Sequence, residues 1–166
     1  MTTDAPAGPA KNPVPPRSLR RRREFLRAAK NGVRASGRLF TIQMVEQEVA
    51  ADPAGVDARP RFGLTVTKKV AGAVGRNRIR RRLREALRTG AISSPGHDAI
   101  AGLGAITGLG ARPGQDYVII ARREALNAPF AEIVSQMAEG FGRLQDRRTA
   151  RGRRNQTERT GVPRDE

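Results

Sequence analysis

Residues 61–85 read Arg61-Phe62-Gly63-Leu64-Thr65-Val66-Thr67-Lys68-Lys69-Val70-Ala71-Gly72-Ala73-Val74-Gly75-Arg76-Asn77-Arg78-Ile79-Arg80-Arg81-Arg82-Leu83-Arg84-Glu85. Two hydrophobic periods meet in this stretch. Over 61–67 the apolar residues alternate: Phe62, Leu64 and Val66 share one face, and Gly63, Thr65 and Thr67 the other, the signature of a half-buried strand. The strand ends in Lys68-Lys69, and a turn of small residues follows. From Arg76 the spacing changes to Ile79, Leu83, Ala86 and Leu87, one apolar stripe of a helix over 76–88 that Gly90 stops. Arg81, Arg84 and Arg88 point away from the stripe. Arg78 and Arg82 flank one side of it and Arg80 the other.

Working outward, residues 38–47 alternate again, with Phe40, Ile42 and Met44 on one face and Thr41, Gln43 and Glu46 in the polar remainder. Leu19 to Lys30 reads as a short basic helix carrying Phe25, Leu26 and Ala29, with Asn31-Gly32 as its stop. Residues 51–60 hold Asp52, Pro53, Gly55 and Asp57 and read as a turn or loop. Tyr117 to Ala121 is a short apolar run of buried-strand type. A last helix is expected from Ala128 to Leu144, with Asn127 as N-cap, Pro129 in the first turn, and a stripe of Phe130, Ile133, Val134, Met137, Phe141 and Leu144. The order helix, strand, strand, helix, strand, helix describes an α+β sandwich, a small mixed sheet packed by helices.

The folded unit is expected over 17–145. Residues 1–16 carry five prolines and read as a disordered lead-in. Residues 146–166 are polar and Arg-rich and read as a basic disordered tail. Residues 91–114 read as a flexible Gly-rich insertion. Its Gly102, Gly104 and Gly108 follow no strand, and G-x-G-x-x-x-G is not the dinucleotide-binding spacing.

Charge narrows the function. The chain of 166 residues has 32 Lys and Arg against 16 Asp and Glu, a net charge of +16. A field of that sign attracts polyanions, and nucleic acid leads because neutralised phosphates release counterions. A merely solvated helix face alternates basic with acidic residues at i,i+4. Here Glu85 is the one acid among the arginines, so a polyanion relieves the repulsion, and Arg suits bidentate phosphate contacts. The chain has no Cys, and His97 is the single His. Disulfides, thiolate chemistry, a His-based metal cluster and a catalytic triad are excluded within one chain. Asp52, Asp57, Glu85 and Asp116 are scattered, unlike the clustered carboxylates of a metal-dependent nuclease. No apolar run is long enough to span a membrane, and the N-terminus lacks the apolar core of a secretory signal, so a cytoplasmic protein is expected.

The strand ending in Lys-Lys, the Gly/Ala/Val turn and the helix opening Arg76-Asn77-Arg78 resemble the signature of the bacterial ribonuclease P protein component. Glu24-Phe25, Gly32, Arg38, Phe40 and Asp116-Tyr117-Val118-Ile119-Ile120-Ala121-Arg122 extend the resemblance over about 17–145, outside the insertion. The resemblance implies a left-handed βαβ crossover, where the general rule favours a right-handed one, and a fold shared with some ribosomal protein domains. It implies an accessory subunit with no catalytic or metal-ligating residues and no cofactor of its own. Its partner RNA hydrolyses the precursor with Mg²⁺, one protein being expected per RNA. The RNA contacts implied are Lys68, Lys69, Arg76, Asn77, Arg78, Arg80, Arg81, Arg82 and Arg84. The 5′ leader of precursor tRNA would lie in a cleft formed by Phe25, Thr41, Gln43, Thr65, Thr67 and Lys68. Phe25 can either stack a base or pack on the sheet. Ala29 and Gln43 stand where many members carry aromatics, which shifts leader binding toward charge and hydrogen bonds. A different RNA partner, as for a ribosomal protein, is the main rival reading, because fold alone does not decide function.

Overall fold

The computed structural model describes residues 17–47, 60–89, 111–112 and 114–159. Five strands form one mixed sheet: β1 (Arg17–Ser18), β2 (Val33–Ser36), β3 (Phe40–Glu46), β4 (Arg61–Thr65) and β5 (Gln115–Ala121). Three α-helices accompany them: α1 (Arg22–Asn31), α2 (Ala73–Thr89) and α3 (Phe130–Arg159). A 3₁₀ turn, Arg123–Leu126, links β5 to α3. The spatial order of the sheet is β1-β4-β5-β3-β2. β4 and β5 are parallel neighbours joined through α2, and β5 runs antiparallel to β3.

The alternating residues do what their period predicts. Phe40, Ile42 and Met44 of β3, Phe62 of β4, and Tyr117 and Ile119 of β5 are buried on one face. That face is closed by Ile79, Leu83, Ala86 and Leu87 of α2 and by Ile133, Met137, Phe141 and Leu144 of α3, all buried. Phe62 stacks on Tyr117 with ring centroids 5.4 Å apart, and Phe141 meets Tyr117 edge-on at 5.0 Å. Helix α3 approaches β3 closely: a Cβ at Gly140 would lie 2.7 Å from Ile42 Cδ1. The opposite face carries a smaller cluster in which α1 packs Phe25 and Ala28, with Leu19, over Val118, Val45 and Ile120.

Several boundaries differ from the sequence reading. Leu19 is not helical. β1 pairs with β4, and the Leu19 amide donates to the Phe62 carbonyl at 2.9 Å, so α1 starts only at Arg22. β2 is an additional strand, antiparallel to β3. α2 begins at Ala73, ahead of Arg76, whose amide donates to the Gly72 carbonyl. β4 ends at Thr65, so Lys68 and Lys69 sit in the following turn rather than at the strand terminus. Asn127 caps the end of the 3₁₀ turn, and the Pro129 carbonyl accepts the first bond of α3.

Two domain limits are corrected. Ala111, placed in the insertion by its sequence, is buried in the core, and the Tyr117 hydroxyl accepts the Arg112 amide at 3.0 Å. The tail expected to be disordered from 146 continues α3 to Arg159. Arg, Ala and Gln favour helix even without an apolar stripe, and Arg148 anchors the extension by pairing with Glu46 at 2.8 Å. The lead-in 1–16, the loop over 48–59, Gly90, the insertion from 91 to 110 with Pro113, and the tail over 160–166 lie outside the described residues, as does His97.

Candidate nucleic-acid interface

α2 buries its apolar stripe and turns its arginines outward. The sequence-predicted contacts divide into two groups there. Arg78, Arg81 and Arg84 have no hydrogen-bond or ion-pair partner among the described residues, and each is exposed. Lys68 and Lys69 are exposed in the turn before the helix. Arg80 donates to Asn77 Oδ1 at 3.2 Å, and Arg76 Nη1 to the Ala71 carbonyl at 3.0 Å, which stiffens the first turn. Arg82 behaves differently. Its guanidinium donates to the carbonyls of Ala125, Leu126 and Ala128, satisfying the end of the 3₁₀ turn. It fastens α2 to the β5–α3 connection and is not a free cation. Glu85, the acid among the arginines, is paired with Arg88. The exposed face of α2 is left positive.

Two grooves border this face. One, of about 810 Å³, runs beside Val74, Asn77, Arg78, Arg81 and Arg82 towards Phe130. The other, of about 480 Å³, lies between Arg80, Arg81, Arg84 and Arg88 of α2 and Arg17, Leu19 and Phe25. Arg81 lines both, and Phe25 shares the second with the α2 arginines.

The sheet register places the remaining cleft residues. Thr41, Ile120 and Thr65 form one row across β3, β5 and β4, and all three are partly exposed. Gln43, Val118 and Gly63 form the next row, and it is buried. Gln43, expected as a cleft contact, is only 4% exposed because α1 covers this row. Phe25 is half-buried over Gly63, where a Cβ would lie 2.5 Å from its Cε1. The glycine thus makes room for the ring, which packs on the sheet with one face and borders the groove. Thr67 and Lys68 are exposed past the end of β4. Thr41 Oγ1 is held by Ser36 and Arg122.

Sequence reasoning missed the polar cluster that fixes α1. Asp116 lies inside β5, fully buried, and accepts from Arg27 at 2.6 Å and from Arg61 at 2.8 and 2.7 Å. Arg61 also donates to Glu24 at 3.0 Å, and the other Glu24 oxygen accepts the amides of Arg20 and Arg21. The bonds to Asp116 hold Arg61 charged above its ordinary pKa, against the effect of burial. In the sequence Asp116 reads only as an acid just ahead of the Tyr117–Ala121 run, which gives no sign of its burial. Its partners lie 89 and 55 residues away. Among the described residues no three acidic or His side chains converge into a metal site. No described helix is long and apolar enough to cross a membrane.

Comparison with known proteins agrees with this geometry. The family model described as Ribonuclease P matches residues 15–145. The ribonuclease P protein component of Brucella suis is 39% identical over 144 residues, covering 86% of this chain and 90% of that protein. The ribonuclease P protein from Thermotoga maritima has a similar fold, with a TM-score of 0.54 at 24% identity over 76% of this chain and 96% of its own. The protein from Staphylococcus aureus gives a TM-score of 0.53 at 22% identity, over 75% and 92% of the two chains.

Proposed function

The chain belongs to the ribonuclease P protein family, and from that premise we propose a division of labour between its two exposed faces. It is the RNA-binding subunit of an endoribonuclease complex that processes tRNA 5′ ends, partnered with ribonuclease P RNA. The basic face of α2 binds that RNA. Arg78, Arg81 and Arg84 supply the phosphate contacts, with Lys68 and Lys69 beside them, and Arg76, Asn77 and Arg80 shape the turn that presents them. Arg82 contributes by holding α2 in place. The observation that carries this reading is the set of arginines on α2 that have no partner among the described residues, and whose nearby acid is already occupied. Like charges held together without counter-charges favour a polyanion partner.

The leader of precursor tRNA runs past Phe25 and across the exposed row of Thr41 and Thr65 towards Thr67 and Lys68. Such a surface offers one stacking ring, hydroxyls and charge, which suits a single strand of variable sequence. Gln43 supports the floor from below. Hydrolysis belongs to the RNA, which also holds the Mg²⁺. The described acids are engaged in ion pairs or spread apart, so the protein supplies binding and orientation. One protein acts per RNA, in the cytoplasm.

Reconstitution tests the proposal. The purified protein is mixed with bacterial ribonuclease P RNA at low Mg²⁺, and leader removal from a precursor tRNA is followed. Cleavage at the mature 5′ end that needs both components is the expected result. An RNA active alone at high Mg²⁺ that gains nothing from the protein at low Mg²⁺ would overturn it.

A further inference from the structure

Beyond the core α3 contributes no apolar side chain to the packing among the described residues. Leu144 is the last buried residue among those described up to Arg153, yet the helix runs on to Arg159. Arg143, Arg147 and Arg151 are spaced i, i+4 and i+8 and are all exposed. Such residues lie on one side of a helix, about 6 Å apart along its axis. Between Arg143 and Arg153 there are five arginines and one acid, Asp146, which lies off that row. Glu46 pairs with Arg148, which lies outside the row.

The extension is held in a definite place. Gln145 donates to the Tyr117 hydroxyl at 3.2 Å, Arg148 pairs with Glu46, and Arg147 donates to the Arg34 carbonyl on β2. Arg143 lies beside Gly37, in the turn from β2 to β3. The row therefore stands along β2, an outer strand of the sheet. The α2 face lies towards the other outer strand, near β1 and β4. Five strands separate their outer members by about 19 Å. The α3 row is therefore a separate surface from the α2 face.

A row of like charges on a helix extension is destabilising by itself. What it fits must be anionic and must not need apolar contact. The large exposed hydrophobics among the described residues are Leu26 and Val74, neither of them on α3. A membrane-surface helix needs an apolar face, and a protein interface needs apolar anchors at its centre. A nucleic-acid backbone needs neither.

We propose that Arg143, Arg147 and Arg151 form a second RNA-backbone site, which engages phosphates of ribonuclease P RNA at a place separate from the α2 contact. The inference rests on the reading of the chain as that RNA's partner. The protein then clamps two segments of its RNA from opposite edges of one sheet and fixes their separation.

The test uses full-length protein and intact ribonuclease P RNA. Binding is measured over a range of salt for wild type, for Arg143→Gln/Arg147→Gln/Arg151→Gln, for the corresponding triple Lys variant, and for Arg78→Ala. Backbone protection of the RNA is mapped for each, and helix content is checked by circular dichroism. The Gln triple is expected to reduce the slope of log affinity against log salt by about 2–3, at close to 0.9 for each phosphate contact. It should lose one patch of protection that Arg78→Ala retains, and the Lys triple should restore most of the slope. An unchanged slope and footprint in the Gln triple, alongside weakened binding by Arg78→Ala, would overturn this inference and leave the α2 reading intact. Unchanged binding by Arg78→Ala with the α3 patch lost would uphold the second site and overturn the α2 reading. No binding by wild type would overturn both.

Discussion

Arg61 and Asp116 are register partners on the parallel strands β4 and β5, and Arg61 closes on both carboxylate oxygens of Asp116, Nε to Oδ1 at 2.8 Å and Nη2 to Oδ2 at 2.7 Å. Arg27 reaches the same carboxylate from α1. The pair therefore joins the sheet to the helix that carries Phe25, and the geometry of the cleft depends on a charge cluster beneath it. Removing one member of a buried pair leaves the other charge uncompensated. Asp116→Ala is expected to destabilise the protein by about 3 kcal/mol, at the low end for buried pairs because both guanidinium groups keep a route to water. Urea unfolding measures the loss. A change below about 0.5 kcal/mol, within the range of ordinary surface substitutions, would show that α1 is held by its apolar contacts alone.

Glu24 gives the same cluster a dependence on pH. Burial of its carboxyl would raise the pKa, but the amides of Arg21 and Arg20 and the Arg61 guanidinium outweigh burial and hold it below the ordinary carboxylate value. A depressed folded-state pKa stabilises the fold above the unfolded-state value, and that contribution is lost as pH falls through the folded value. The urea midpoint should therefore fall on acidification from about pH 6 to about pH 3. Glu24→Gln should lie below wild type at the upper pH and fall less steeply. Parallel pH profiles for the two proteins would remove Glu24 from the account.

How far these features were legible depends on whether they repeat at a period. Phe40, Ile42 and Met44, and Ile79, Leu83, Ala86 and Leu87, announced their buried faces because period two and period 3.6 are each fixed by backbone geometry. β1 has two residues, too few for any period, and was not read at all, while Leu19, which follows it, was read as the start of a helix. β2 buries one residue, Ala35. The end of α3 has no apolar stripe, so a reading based on burial stopped at Leu144, where burial stops. The α2 arginines were legible as a positive face. Their division was not, because the role of Arg82 depends on carbonyls 43 to 46 residues away. The burial of Gln43 was illegible for a related reason: alternation gives the face of a residue but does not say which rows of that face a helix covers.

Gly63 and Phe25 offer a test of the leader cleft that leaves its charges untouched. Gly63→Ala would place a Cβ 2.5 Å from Phe25 Cε1, so the ring must move away from the sheet. If Phe25 stacks a leader base, Phe25→Ala should weaken leader binding by about 1–3 kcal/mol. Gly63→Ala should do so in part. The measurement is the ratio of holoenzyme affinities for precursor and mature tRNA. Both variants should lower that ratio and leave the affinity for mature tRNA near wild type. A ratio unchanged in Phe25→Ala would mean that the ring only packs on the sheet.

Arg78 and Arg82 lie one helical turn apart on α2, and their substitution should give opposite results. Arg78 has no partner among the described residues, so Arg78→Ala removes charge from the RNA face and little from the fold. Its RNA affinity should fall, with a salt slope smaller by about 0.7–0.9 for the one lost phosphate contact. Arg82 donates to three carbonyls at the end of the 3₁₀ turn. Arg82→Ala leaves those acceptors to whatever water reaches them, an expected loss of about 1–3 kcal/mol in stability. Its salt slope should remain that of wild type under conditions where the variant is folded. Arg82→Lys should recover only part of the stability, because one ammonium cannot span three carbonyls as a planar guanidinium does. Unfolding curves and salt-dependent RNA binding on the same two proteins separate the roles. A lowered slope for Arg82→Ala with unchanged stability would reverse the assignment and return Arg82 to the RNA face.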